Sequence, residues 1–230
     1  MKAPLTLALD AATYTGAVAL VQGSRVMAER EVAMRGEKEE RLMPAVEQLL
    51  KDAALEPAEL EQVACGGGPG SFTSLRIAAS IAKGIAAGRA IPLFTAPSLL
   101  LMVAGSEAAA APGRYLAVLD ALRGDAYVAG YQVTTLAERD NGSPEVLDIA
   151  PPSLLPYDGV DALARSLDAR RIGPREEIAA IPRAAGFARL ATWLELRDPV
   201  DIAAWEPDYG RLAEAQVRWE REHGRPLVNG

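Results

Sequence analysis

Three apolar runs separated by short polar turns open the chain. Leu5 to Leu9 ends at Asp10, Thr15 to Val21 follows a turn at 11–14, and Arg25 to Val32 follows Gln22-Gly23-Ser24. Runs of this length with hairpin-sized connections predict a β-meander. The period then changes. Leu42, Val46, Leu49 and Ala53 recur at helical spacing within a segment predicted as helix from Glu37 to Ala54. Pro44 sits early in it, where its missing N–H predicts a kink or a late start. Val63 to Cys65 is a short strand, Gly66, Gly67, Gly68, Pro69 and Gly70 form a turn, and a helix runs from Ser71 to Gly88. A strand near Ile91 to Phe94 and a helix from Pro97 to Ala111 complete this part.

The glycine-rich loop and its helix are the most distinctive stretch. Free N–H groups at a helix N-terminus favour anions, so a phosphate cradle is one reading. The loop lacks the Gly-Lys-Ser/Thr ending of a Walker loop and the third glycine of a dinucleotide fingerprint, so a structural turn is the other. In the helix, Ile77, Ile81 and Ile85 make a ridge beside Gly84 and Gly88, while Leu75 and Ala78, Ala79, Ala82 and Ala86 extend the apolar surface. That arc covers roughly 220°, about twice what one sheet requires. Either the helix is sandwiched inside one domain or it is shared with another subunit.

From Arg114 the opening pattern repeats. RYLAVLDALRGDAYVAGYQV sets a strand ending in Asp120, a turn at Arg123-Gly124 and a returning strand, as LTLALDAATYTGAVALVQG does at the start. Two such matches predict a duplicated α/β unit, with halves at 1–108 and 109–230. The second half continues with a strand near Val146 to Ile149, a helix from Val160 to Leu167, a weak strand at Ile178 to Ile181 and a helix from Ala184 to Trp193. A polar helix from Gly210 to Glu222 closes it.

Composition narrows the chemistry. A net charge of −7 argues against an independent grip on nucleic acid, which needs clustered Lys and Arg. The single cysteine, Cys65, and the single histidine, His223, leave no disulfide framework, no two-histidine metal site and no metal ligands. No signal peptide or membrane span is expected, which predicts a cytoplasmic protein with no membrane partner.

A duplicated strand-Asp-turn-strand unit resembles the acetate and sugar kinase, heat-shock chaperone and actin superfamily, whose paired hairpins grip phosphates. Asp10 and Asp120 hold the corresponding places, with Thr13 in the first turn, so the three mark a vestigial phosphate site. The late glycine-rich adenosine loop of that group is missing.

A more specific likeness follows. GGGPGSFTSLRIAASIAKGIAAG resembles the hallmark segment of the TsaB family, also called YeaZ. LALDAATYTGAVAL, RGEKEERLMPAVEQLL, LDALRGDAYVAGY and PDYGR agree with it in order. The resemblance implies an actin-like fold of two mixed-sheet subdomains flanked by helices, and a non-catalytic paralogue of TsaD within the glycoprotease-like M22 group. It implies a scaffold and activator for attaching threonylcarbamoyl to the adenosine 3′ of the tRNA anticodon. Implied partners are TsaD, the ATPase TsaE, a second copy when the chain is alone, and tRNA only through the complex, with ATP and metal on the partner subunits. The implied interface comprises Leu42, Val46 and Leu49 of the first helix and Ser74, Leu75, Ala78, Ala79, Ala82 and Ala86 of the hallmark helix. The family often has His where Lys38 stands and glycine where Ser74 stands. The alternatives are a weak kinase-like ATPase using Asp10 and Asp120, and a self-associating protein outside tRNA modification.

Overall fold

The computed structural model describes residues 2–35, 39–134, 145–210 and 223. The first half runs β1 (Leu5–Asp10), β2 (Thr15–Gln22), β3 (Arg25–Ala33), α1 (Leu42–Asp52), β4 (Gln62–Gly66), α2 (Phe72–Arg89), β5 (Leu93–Ala96) and α3 (Ser98–Ala104). The second runs β6 (Gly113–Asp120), β7 (Asp125–Thr134), β8 (Glu145–Pro156), α4 (Val160–Leu167), β9 (Arg170–Gly173), β10 (Ile178–Ala179) and α5 (Ala191–Glu195).

Each half forms one mixed sheet, ordered β3-β2-β1-β4-β5 and β10-β9-β6-β7-β8. Matching β1 to β6, β2 to β7, β3 to β8, β4 to β9 and β5 to β10 makes the two orders the same. Both are antiparallel through the hairpin strands and parallel beyond the first strand. The duplicated α/β unit expected from two hairpins is borne out by every strand pairing.

The alternation of residue size explains the layers. β1 is buried along its whole length because both faces are covered. Leu5, Leu7 and Leu9 pack with Val18 and Leu20 of β2 against α1 and α2. The opposite faces of these strands carry small residues, Ala8, Ala17 and Ala19, and meet the wholly buried α3. β6 and β7 turn Tyr115, Ala117, Tyr127 and Tyr131 to that same core, and Leu116, Val118 and Val128 to α4. One shared core therefore joins the two sheets through α3.

Several elements differ from the sequence expectation. α1 starts at Leu42 rather than Glu37, the late start that Pro44 predicted, and Pro44 falls in the first turn, where no intrahelical donor is needed. β8 is longer than expected and tolerates Pro151 and Pro152 because it pairs only with β7, at the sheet edge. The segment read as one helix, Ala184 to Trp193, is a 3-10 turn at Ala184–Ala188 followed by α5. The four-residue β9 was not anticipated. Lys38 and residues 211–222, nearly all of the helix predicted from Gly210 to Glu222, lie outside the described residues.

Candidate partner face and glycine loop

The glycine loop is built into its own protein. A side chain at Gly66 would overlap Asp10 Oδ2, one at Gly70 would overlap the Ala12 carbonyl, and one at Gly68 the Asp208 carbonyl. Gly68 also has φ +88, a region that L side chains rarely adopt. Three N–H groups of the loop and its exit into α2 are spent internally. Gly67 donates to Ala96 O at 2.8 Å, Gly68 to Ser98 Oγ at 3.0 Å and Ser71 to Ala12 O at 2.7 Å. With those donors turned inward, the phosphate-cradle reading gives way to the structural turn.

Asp10 lies under this loop, fully buried. Its Oδ1 accepts the Ala12 N–H at 2.9 Å and its Oδ2 accepts the Ser98 hydroxyl at 2.6 Å. Burial pushes the carboxyl up to about 6, against the pull of the Ser98 and Ala12 hydrogen bonds. Burial, with a smaller contribution from the Asp10 charge, pushes the neighbouring Cys65 thiol up as well, away from nucleophile character. Asp120 occupies the matching strand end but stands exposed, accepting the Leu122 N–H at 2.7 Å with Arg175 at 3.8 Å. Thr13 closes its own turn, donating to Thr15 O and accepting from Thr15 N–H, both at 3.1 Å. Of the expected Asp10–Thr13–Asp120 phosphate site, the structure withdraws Asp10 into the interior and leaves Asp120 exposed. Each of the three satisfies local backbone groups, and Asp10 presents no surface to a ligand. Ser98 was missed from the sequence. It bridges Asp10 to Gly68, and a serine opening an apolar helix carries no signal beyond helix capping.

The interface residues implied by resemblance lie in the interior of this chain. Leu42, Val46, Leu49, Ser74, Leu75, Ala78, Ala79, Ala82 and Ala86 are all buried within this chain. The Ser74 hydroxyl is 3.0 Å from that of Ser71. The first sheet and α1 already cover the alanine side of α2. Its outer face instead presents Thr73, Arg76, Ser80, Gly84, Ala87 and Gly88, all exposed. Half-buried Ile77, Ile81 and Ile85 border it on one side, and Phe72 and Lys83 on the other. Among the described residues, a side chain at Gly84 or Gly88 would meet nothing within 4 Å. Phe72, Thr73, Arg76, Ile77, Ser80 and Ile81, with Glu40, line a shallow groove of about 450 Å³ along this face. The sequence had shown the isoleucine ridge and the two glycines, but not which side was free.

Comparison with known proteins identifies the family and the fold. The family described as "TsaD: tRNA N6-adenosine threonylcarbamoyltransferase" matches residues 31–186. The tRNA threonylcarbamoyladenosine biosynthesis protein TsaB of Bacillus subtilis is 30% identical over 233 residues, covering 93% of this chain and 96% of that protein. TsaB of Escherichia coli is 36% identical over 126 residues, 55% of this chain and 54% of that protein. A Pseudomonas aeruginosa structure described as similar to peptidase YEAZ superposes with TM-score 0.76 at 24% identity, covering 90% of this chain and all of the other, and so shares the fold. A near-complete alignment to a TsaB, together with this duplicated fold, places the chain in the TsaB (YeaZ) family of tRNA threonylcarbamoyladenosine biosynthesis proteins.

Proposed function

We propose that this chain is the non-catalytic scaffold and activator subunit of the machinery that attaches threonylcarbamoyl to the adenosine 3′ of the tRNA anticodon. It binds TsaD through the outer face of α2. The observation that carries this reading is the open space around Gly84 and Gly88. Glycine inside a helix costs about 1 kcal/mol relative to alanine, and nothing in the packing of the described residues requires it at either position. With Ser80 they form a strip at four-residue spacing beside an isoleucine ridge, a shape into which another helix packs closely. An interface of about 800 Å² per partner is of ordinary size for such pairing. The same face serves a second copy when TsaD is absent, TsaE joins the assembled pair, tRNA is reached only through the complex, and the assembly works in the cytoplasm. Among the described residues, no helix is long and apolar enough to cross a membrane. The ATPase alternative asks Asp10 to handle a nucleotide or its metal, whereas both carboxylate oxygens are held by Ala12 and Ser98 in the interior.

Light scattering of the purified chain mixed with cognate TsaD tests the reading. Wild type is expected to form a heterodimer, and Gly84→Arg to abolish it while melting no lower than wild type. A wild-type chain that does not bind TsaD, or a Gly84→Arg chain that binds unchanged, overturns it.

A further inference from the structure

The PDYGR stretch noted in the sequence ends a segment that does more than finish the chain. Residues 200–210 leave the second half and return across the first. The Val200 N–H donates to Leu93 O at 2.8 Å, at the start of β5. Val200, Ile202 and Trp205 then join the core under α2, while Tyr209 packs against the core shared by the two sheets. Pro207 is buried, and the Asp208 N–H donates to Gly67 O at 2.8 Å. On α2, Glu206 pairs with Lys83 at 3.1 Å, and the Tyr209 ring lies 4.5 Å from that of Phe72. In the second half, the Tyr127 hydroxyl reaches Tyr209 O at 3.3 Å.

The fit is reciprocal. The missing side chain of Gly68 makes room for Asp208, and that of Gly210 makes room for Tyr127 and Pro69. The glycine loop and the segment are therefore shaped to each other. The holding contacts are main-chain bonds from Val200 to Leu93 and from Asp208 to Gly67, the Tyr127 hydroxyl bond, one partly exposed ion pair, one aromatic pair and the apolar packing of Val200, Ile202 and Trp205, none of them a ladder bond of either sheet. Such a set can be undone without dismantling either sheet.

We propose that residues 200–210 are a latch that, when docked on the glycine loop, sets the first turn of α2 and thereby the affinity of its outer face for a partner. This rests on the reading of that face as the TsaD-binding surface. Phe72 and Lys83, which the latch grips, form the border of the same face. A partner that recognises the docked arrangement binds more weakly in proportion to the time the latch spends released.

Two measurements on the full chain test this, using Tyr209→Ala, Tyr209→Phe and, as a remote control, Lys51→Ala. In Tyr209→Ala, the Gly68 and Ser71 amides should exchange hydrogen faster. Those amides bond to Ser98 and Ala12 rather than to the latch, so a merely local contact would leave them unmoved. Affinity for TsaD should fall about tenfold. Tyr209→Phe keeps the ring contact and should restore both readouts, and Lys51→Ala should change neither. Wild-type exchange at Gly68 and Ser71 in Tyr209→Ala overturns the latch. Faster exchange with unchanged TsaD affinity overturns its link to the partner. If the wild-type chain fails to bind TsaD, the functional reading falls and the link with it, while the latch itself is decided by the exchange result alone.

Discussion

Two sets of glycines stand within one stretch of sequence, and they are glycine for opposite reasons. Gly66, Gly68 and Gly70 have no room for a side chain, since carbonyl or carboxylate oxygens of Asp10, Asp208 and Ala12 fill the space. Gly84 and Gly88 have nothing within 4 Å of where a side chain would stand among the described residues. The first set is explained wholly by the chain's own packing and the second is not explained by it at all. Absence of a side chain therefore marks structure in the loop and an outward-facing surface on the helix.

The sharpest way to break this contrast is to add one methyl group on each side of it. Gly68→Ala forces a Cβ onto the Asp208 carbonyl at a backbone angle suited to glycine. It is expected to destabilise the fold by about 4 kcal/mol, combining overpacking with backbone strain. For a chain of this size, calorimetry should show the melting temperature falling by about 10 °C.

Asp10, packed against Gly66, supplies the next largest effect through its titration. Its folded value of about 6 lies above its ordinary value of 3.8, so the native state holds the proton more tightly than the unfolded chain. Stability from this group is therefore fully present below pH 3.8 and is lost as pH rises through about 6. The loss amounts to roughly 3 kcal/mol. Urea unfolding of wild type and Asp10→Asn at pH 4 and pH 7 should show that decline in wild type relative to the variant. Parallel pH dependence of the two would refute it.

The smallest effect has the opposite sign. Gly84→Ala puts a methyl group into open space and removes a helix-weakening residue, so the isolated chain should gain about 1 kcal/mol. A melting temperature about 3 °C higher is the expected readout. A loss of stability there would mean that Gly84 serves internal packing after all, and the contrast would collapse.

Much of the fold was legible because it is written in large apolar residues at regular spacing. Leu5, Leu7 and Leu9 alternate with small residues, and the strand-Asp-turn-strand pattern recurs at Asp120. Elements without such marks were harder to read. β9 is four residues long and opens with two arginines, so neither length nor alternation reveals it. Arg189 and Leu190 divide the expected Ala184–Trp193 helix, and the one glycine of that segment, Gly186, stands three residues before the break rather than at it. The site was legible only in its parts. The sequence displayed Asp10, the glycine loop, the isoleucine ridge and PDYGR, but not that Ser98 joins the first two or that the last closes over the loop.

By itself, then, the sequence determined the duplicated α/β architecture, the tight turn at Gly66–Gly70 and an α2 with more apolar surface than one sheet needs. Tertiary structure alone decided which part of that surface is free. Alanine and glycine bury so little area that hydropathy hardly distinguishes the two sides of such a helix. The choice was made by Leu75 and by the leucines of α1 and β1, whose burial draws the alanine side inward and leaves Ser80, Gly84 and Gly88 facing out.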